Sequence, residues 1–272
     1  MTLNVQAGAV LKADNSEKKF VAAYIGKPAA PHEAFILANK AQNVKLIGSG
    51  TIDGDGEHSW WPEALEVRKA VRSGNTALFE KRFPGVKLAN GMPRPWLVEF
   101  NEVEGGVIYG LNFVNSPMLN LVIRNCNDVL LDSVKVTAPV ESPNTDGVDI
   151  VSSKYVTVIN SEIYTGDDNV AIKSGVDQVT AGPSENIVIK DSLFREGHGV
   201  SIGSETANGI GRLPLKTASS STLKTASASN QRAIAAIRSA RLTLMASPWI
   251  ALIRRSWSPF PMPGNPGLLA WA

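Results

Sequence analysis

The chain has one cysteine, Cys126, among its 272 residues. A lone thiol excludes a disulfide within this chain, and a small buried side chain is its expected role. No apolar run approaches the ~18 residues that a membrane-spanning helix needs. The first residues, MTLNVQAGAVLKADNSEKK, lack a basic segment followed by an apolar core, so no export signal is legible there. Acids are missing from one region. Residues 1–205 carry all 25 Asp and Glu and 19 of the 27 Lys and Arg, a net of −6. Residues 206–272 carry eight cations and no acid, a net of +8. A basic tail of this kind suits polyanion binding. A different origin is argued below, and no nucleic-acid or membrane partner is expected.

What is present is a series of short Val- and Ile-rich segments bounded by Gly, Asn, Asp and Pro. Only residues 62–83, PEALEVRKAVRSGNTALFEKRF, read as helix. Two strand types repeat. One is Asp128-Val129-Leu130-Leu131, Tyr155-Val156-Thr157-Val158 and Asn186-Ile187-Val188-Ile189. The other is Gly147-Val148-Asp149-Ile150, Asn169-Val170-Ala171-Ile172 and Gly199-Val200-Ser201-Ile202. Variable spacing with short strands predicts an all-β parallel solenoid, each coil burying its inward Val and Ile against the next. An antiparallel sandwich is the rival, but its tight two-residue hairpins are scarce here.

The second strand type sets a frame. Asp146, Asp168 and His198 each lie two residues before a reference Val: Val148, Val170 and Val200. In a solenoid they stack at about the 4.8 Å strand spacing, with Asp167 beside them. Stacked carboxylates repel, so one should have a raised pKa, which suits a general acid beside a general base. Asp-Gly and Gly-Asp-Asp alone are ordinary turn sequences; it is their shared register, joined by a histidine, that points to a site. A calcium site is the alternative for such oxygens, though a histidine fits it poorly.

SPNTDGVDI, TGDDNVAIKSG and GHGVSIGSE resemble three of the four signature motifs of the polygalacturonase family of glycoside hydrolases, family 28. The resemblance runs from LNVQAGAVL through GSGTIDGDG, PRPWLVEF and LNFVNSP to Glu205. It implies a right-handed parallel β-helix and hydrolysis of α-1,4-galacturonosyl links in pectin, with inversion and without metal or other cofactor. Carried over, Asp167 resembles the general acid, Asp146 and Asp168 the carboxylates that activate water, and His198 a support for the acid. Asn144 and Lys173 fall within the motifs as substrate-binding candidates. Asn169 stands where a small residue or Cys is commoner. Stacking alone predicts the ~5 Å carboxyl separation of retaining enzymes rather than the ~6.5–9.5 Å of inverting ones; on this point the resemblance is followed. The family is typically secreted or periplasmic, and a monomer acting on a pectin-like polysaccharide is expected. Because pectin is extracellular and no export signal is visible, truncation at the N-terminus is also expected.

The fourth family motif, Arg-Ile-Lys, occurs nowhere in the sequence. Its two cations would hold substrate carboxylates. Where it belongs stands the acid-free TASSSTLKTASASNQRAIAAIRSARL. Back-translation of Ala226-Ser227-Ala228-Ser229-Asn230-Gln231-Arg232, shifted by two bases, permits Val-Arg-Ile-Lys-Ser. Lys216-Thr217-Ala218 permits Glu-Asn-Cys in the same frame. The hypothesis is a frameshift between about Gly209 and Arg212, and the gene's third codon bases decide it. The expected organisation is an incomplete catalytic β-helix over residues 1–210 and a disordered tail over 211–272, with impaired activity. The rival functions are a non-catalytic β-helix that binds an acidic glycan and a calcium-dependent, pectate-lyase-like enzyme. His32 and His58 sit in no motif. Trp60 and Trp61 are expected to pack the N-terminal coil rather than line a groove.

Overall fold

The computed structural model describes residues 1–14, 34–84, 88, 92, 94–175, 182–203 and 205–211, and the backbone of 213–216 and 242–244. Six coils follow one another. The first comprises β1 (Thr2–Val5), β2 (Val10–Lys12) and β3 (Ala34–Asn39). The second has β4 (Gln42–Gly48) and β5 (Thr51–Asp53), then a helical insertion, then β6 (Trp96–Asn101). The third has β7 (Glu104–Tyr109), β8 (Asn112–Val114) and β9 (Leu121–Arg124). The fourth has β10 (Asn127–Asp132), β11 (Lys135–Thr137) and β12 (Val148–Val151). The fifth has β13 (Lys154–Ile159), β14 (Glu162–Thr165) and β15 (Val170–Lys173). The sixth has β16 (Val188–Lys190), β17 (Leu193–Glu196) and β18 (Val200–Ile202).

Each coil gives one strand to each of three parallel sheets. The result is the expected right-handed parallel β-helix, in the hand that parallel crossovers favour. The sandwich alternative fails because every ladder is parallel and joins neighbouring coils. Register agrees with the repeats: Val129 pairs with Val156, and Val148 with Val170, which pairs with Val200. Inward positions stack like on like. Val148, Val170 and Val200 form one row, Ile150, Ile172 and Ile202 another, and all six are buried in the main core. Each such side chain contributes about 1.5–3 kcal/mol by leaving water.

The corner between the first and second sheets is made by one left-handed residue per coil. Gly110, Ser133, Asn160 and Asp191 occupy it with φ between 50° and 76°. Bulky or β-branched residues pay most in that conformation, which explains the small and polar punctuation of the sequence.

The insertion between β5 and β6 holds α1 (Gly56–Ser59), α2 (Trp61–Ser73) and α3 (Ala77–Arg82). The single helix expected over 62–83 is broken at Gly74, whose φ of 73° ends α2. Trp60 and Trp61 are buried with Ala64, Val67, Leu88 and Met92 in a separate small core. They therefore pack the insertion, not the N-terminal coil. The Trp61 indole donates to the Ser116 carbonyl at 3.0 Å, tying α2 to the third coil. Gly56 lies so close to that coil that a Cβ would stand 2.7 Å from the same carbonyl.

Within the tail, β19 (Leu213–Lys216) and β20 (Leu242–Leu244) carry the first sheet onward, β19 pairing with β16 and β20 with β19. The expected disorder of the rest of 211–272, and His32, lie outside the described residues. No helix among the described residues is long and apolar enough to cross a membrane.

Candidate active site

The turns from the second to the third sheet carry the chemistry. In the fourth coil the turn before β12 holds Asn144 to Gly147. In the fifth, the turn before β15 holds Gly166 to Asn169. In the sixth, the turn before β18 holds Gly197 to Gly199. Backbone bonds lock them together: Gly147 N–H donates to the Asp168 carbonyl at 2.9 Å, and His198 N–H to the Asp167 carbonyl at 3.1 Å. Gly147 is needed because a Cβ there would meet the Asn169 carbonyl at 2.5 Å.

The structure brings Asp167, Asp168 and His198 into direct contact. His198 Nδ1 lies 3.2 Å from Asp167 Oδ1 and 3.4 Å from Asp168 Oδ1. One ligand atom from each of the three lies within 4.8 Å of the others, a group that a divalent ion could bridge. Asp168 also accepts from the Ser201 hydroxyl at 2.6 Å. Burial, then the charge of Asp146, raises the Asp168 pKa.

Asp146, one coil before Asp168 in the same column, is buried. Its Oδ2 lies 3.5 Å from Lys173 Nζ. Burial pushes its pKa up to about 6, and Asp167 adds to the rise while Lys173 opposes it. Lys173 forms its tightest ion pair with Asp149, also buried. Burial works against the lysine's charge, yet Asp149, Asp146 and Glu205 outweigh it and raise its pKa well above the usual value. Burial raises Asp149 well above the carboxylate range, and its Oδ2 has no partner among the described residues. Lys173 is therefore enclosed among carboxylates of its own chain, where sequence analysis had it bind substrate.

Asn144 is half-buried, and its side-chain oxygen accepts from Arg94 at 2.7 Å. Asn169, at the position where a small residue or Cys is commoner, is a buried tie. Its amide donates to the Ile163 carbonyl at 3.0 Å and the Thr165 hydroxyl at 3.1 Å, and its oxygen accepts from Gly199 N–H at 2.9 Å.

Three positioning groups escaped sequence reasoning. Arg94, wholly buried, donates to the Pro117 carbonyl at 2.9 Å and the Pro143 carbonyl at 2.8 Å as well as to Asn144. It clamps the turn that carries Asp146; burial, then Arg68, lowers its pKa to about 9, which still leaves it charged at neutral pH. Asn120, one coil earlier, donates to the Asp146 carbonyl at 2.9 Å. Ser201 is the third. Only the stacking register could have revealed Asn120 and Ser201. Among non-catalytic residues, Cys126 is buried, and burial pushes its thiol up to about 12. His58 is exposed beside Asp55 at 3.3 Å, far along the chain from the column.

Comparison with known proteins identifies the family to which this fold belongs. The model of glycosyl hydrolases family 28 matches residues 19–224. The chain belongs to that family. The matched span runs past the point between Gly209 and Arg212 where a frame change is expected. A polygalacturonase of Cryptomeria japonica is 39% identical over 165 residues, covering 61% of this chain and 27% of that protein. An endo-polygalacturonase of Pectobacterium carotovorum subsp. carotovorum is 32% identical over 220 residues, 76% of this chain and 49% of its own length. The solved polygalacturonase from Erwinia carotovora ssp. carotovora superposes with a TM-score of 0.63 at 30% identity, covering 80% of this chain and 56% of that one. The chain thus spans about half or less of the length of these two sequence relatives.

Proposed function

We propose that this protein hydrolyses galacturonosyl links of pectin-like polysaccharides by acid–base catalysis with inversion. The observation that carries the reading is the meeting of Asp146, Asp167, Asp168 and His198 at one turn column. Asp167, the most exposed of the three carboxyls and in contact with His198, protonates the leaving oxygen. Asp146 and Asp168, ionised, orient and deprotonate the attacking water. Each proton transfer of this kind is worth roughly 10²–10⁴ in rate. Lys173 acts from below the substrate floor, keeping Asp146 anionic enough to serve as base. Asn144, its side-chain oxygen held by Arg94, helps to shape the groove.

Without Arg-Ile-Lys the chain lacks two cations that would grip substrate, so turnover is slow. The test is release of reducing ends from polygalacturonate and from a neutral galactan, with and without a chelator. Slow release from the acidic polymer, resistant to chelator and lost in Asp168→Asn, is the expected result. Loss with chelator alone favours the calcium-dependent lyase reading. Binding without turnover, even after the frame is restored, favours a non-catalytic glycan-binding β-helix.

A further inference from the structure

The insertion does more than cover the third coil. Its helix α2 buries Trp61, Ala64 and Val67 on one side. Leu65, Arg68, Lys69 and Arg72 fall on another, at the spacing that groups residues three and four apart. Across from them stand Val140 and Glu141, at the start of the turn that carries Asn144 and Asp146. Between the two lies a cleft of about 520 Å³ lined by these six residues and Ser73, a size ordinary for small-ligand sites.

Three features of the cleft ask for a ligand. Arg68, Lys69 and Arg72 form no ion pair with any carboxylate among the described residues. Arg68 is half-buried, and its charge is opposed first by burial and then by Arg72, while Asp167 and Asp146 favour it. The guanidinium thus lies within electrostatic reach of the candidate acid and base. Finally, Leu65 and Val140 are 42% and 49% exposed, leaving apolar surface beside the cations. Cations beside small apolar patches match a sugar that carries a carboxylate: the ring's C–H face packs on Leu65 and Val140, and the carboxylate meets the arginines, whose forked donors suit it.

We infer that this cleft is a subsite for a galacturonate unit, placed so that a neighbouring link of the same polymer lies over the Asp146–Asp168 column. The inference rests on the proposed galacturonan substrate. It assigns the insertion a role in holding substrate carboxylates on the side of the column away from the sixth coil. Glu141 stands at the rim with the wrong sign, and so limits affinity.

The experiment is calorimetric binding of trigalacturonate and of its fully methyl-esterified form, which keeps the rings and removes the charge. The unaltered chain should prefer the acid at least roughly tenfold, the scale of one charge-assisted bond. Arg68→Met/Arg72→Met should bind both forms alike, and Arg68→Lys should recover part of the preference. Glu141→Gln, which alters no packed side chain, should tighten the acid two- to three-fold, roughly the worth of an exposed charge pair. Lys45→Met, on the first sheet, should change nothing. Melting temperatures of the variants show whether each is folded. An undiminished acid preference in folded Arg68→Met/Arg72→Met, together with no response to Glu141→Gln, overturns the subsite and leaves the hydrolase reading intact. The same holds if the chain hydrolyses polygalacturonate yet binds neither trimer. Preference for the ester, with turnover of neutral galactan only, overturns both.

Discussion

The second and fourth coils place three residues on the same lattice points and put them to different use. Counting from the reference Val of the third sheet, the second coil has Trp96 two places before Val98 and Glu99 one place after it. Arg124, on the next coil, faces Asn101. The fourth coil has Asp146 and Asp149 at the matching points, and Lys173 on the next coil faces Val151. In both, the cation reaches back one coil to a buried acid: Arg124 to Glu99 at 2.5 Å, Lys173 to Asp149. In both, it also meets the residue before the strand. Arg124 stacks over the Trp96 ring at 5.5 Å, a cation–π contact that closes the surface. Lys173 instead meets a second carboxylate, Asp146, at 3.5 Å. One exchange, an indole for a carboxyl, separates a structural clasp from the proposed proton-handling site. It also leaves the fourth coil with two buried acids for one cation.

The comparison can be broken at the cations first. Lys173→Met strands Asp146 and Asp149 in the protein interior, and breaking a buried pair costs about 3–5 kcal/mol. Urea unfolding at neutral pH should show that loss. Among the described residues, Arg124→Met strands Glu99 alone, whose carboxyl burial already lifts toward protonation. The same measurement should show about half the cost, roughly 2 kcal/mol.

The acid of the fourth coil comes next. Because the folded pKa of Asp146 is raised to about 6 from the ordinary 3.8, its contribution to stability is complete below pH 4 and is lost as pH rises through 6. Asp146→Asn removes that loss. It should stabilise the fold at pH 8 by up to about 3 kcal/mol and leave it nearly unchanged at pH 4, as melting curves at the two values would reveal. Equal shifts at both would mean that Asp146 titrates normally. The smallest effect is expected for Arg124→Lys, which keeps the charge but loses the planar stacking on Trp96; a cost below about 1 kcal/mol follows.

Much of this architecture was legible in the sequence, because inward Val and Ile recur in step and the acidic turns keep step with them. The strands of the second sheet were not. Lys135–Thr137 and Leu193–Glu196 present one inward residue each, Val136 and Phe194, too few to show alternation. Asp146, Asp168 and His198 share one register with Asp167 beside them, and the structure puts Asp167, Asp168 and His198 in contact. What sequence could not show is that Lys173 is buried against Asp146 and Asp149 of its own chain. Arg94 was unreadable for a related reason: its acceptors at Pro117, Pro143 and Asn144 belong to two later coils and are backbone or amide oxygens, which leave no pattern. The cleft on α2 is visible as a run of cations in the sequence, but only folding sets it against Val140 and Glu141.

The decisive measurement is the rate of reducing-end release from polygalacturonate, per folded molecule, for the unaltered chain, Asp146→Asn and Arg124→Met. If the fourth coil is the site and the second coil only a clasp, Asp146→Asn falls by roughly 100-fold or more, while Arg124→Met stays within about twofold, since Arg124 handles no proton in this account. Equal losses in the two variants, or undiminished release in Asp146→Asn, would contradict it.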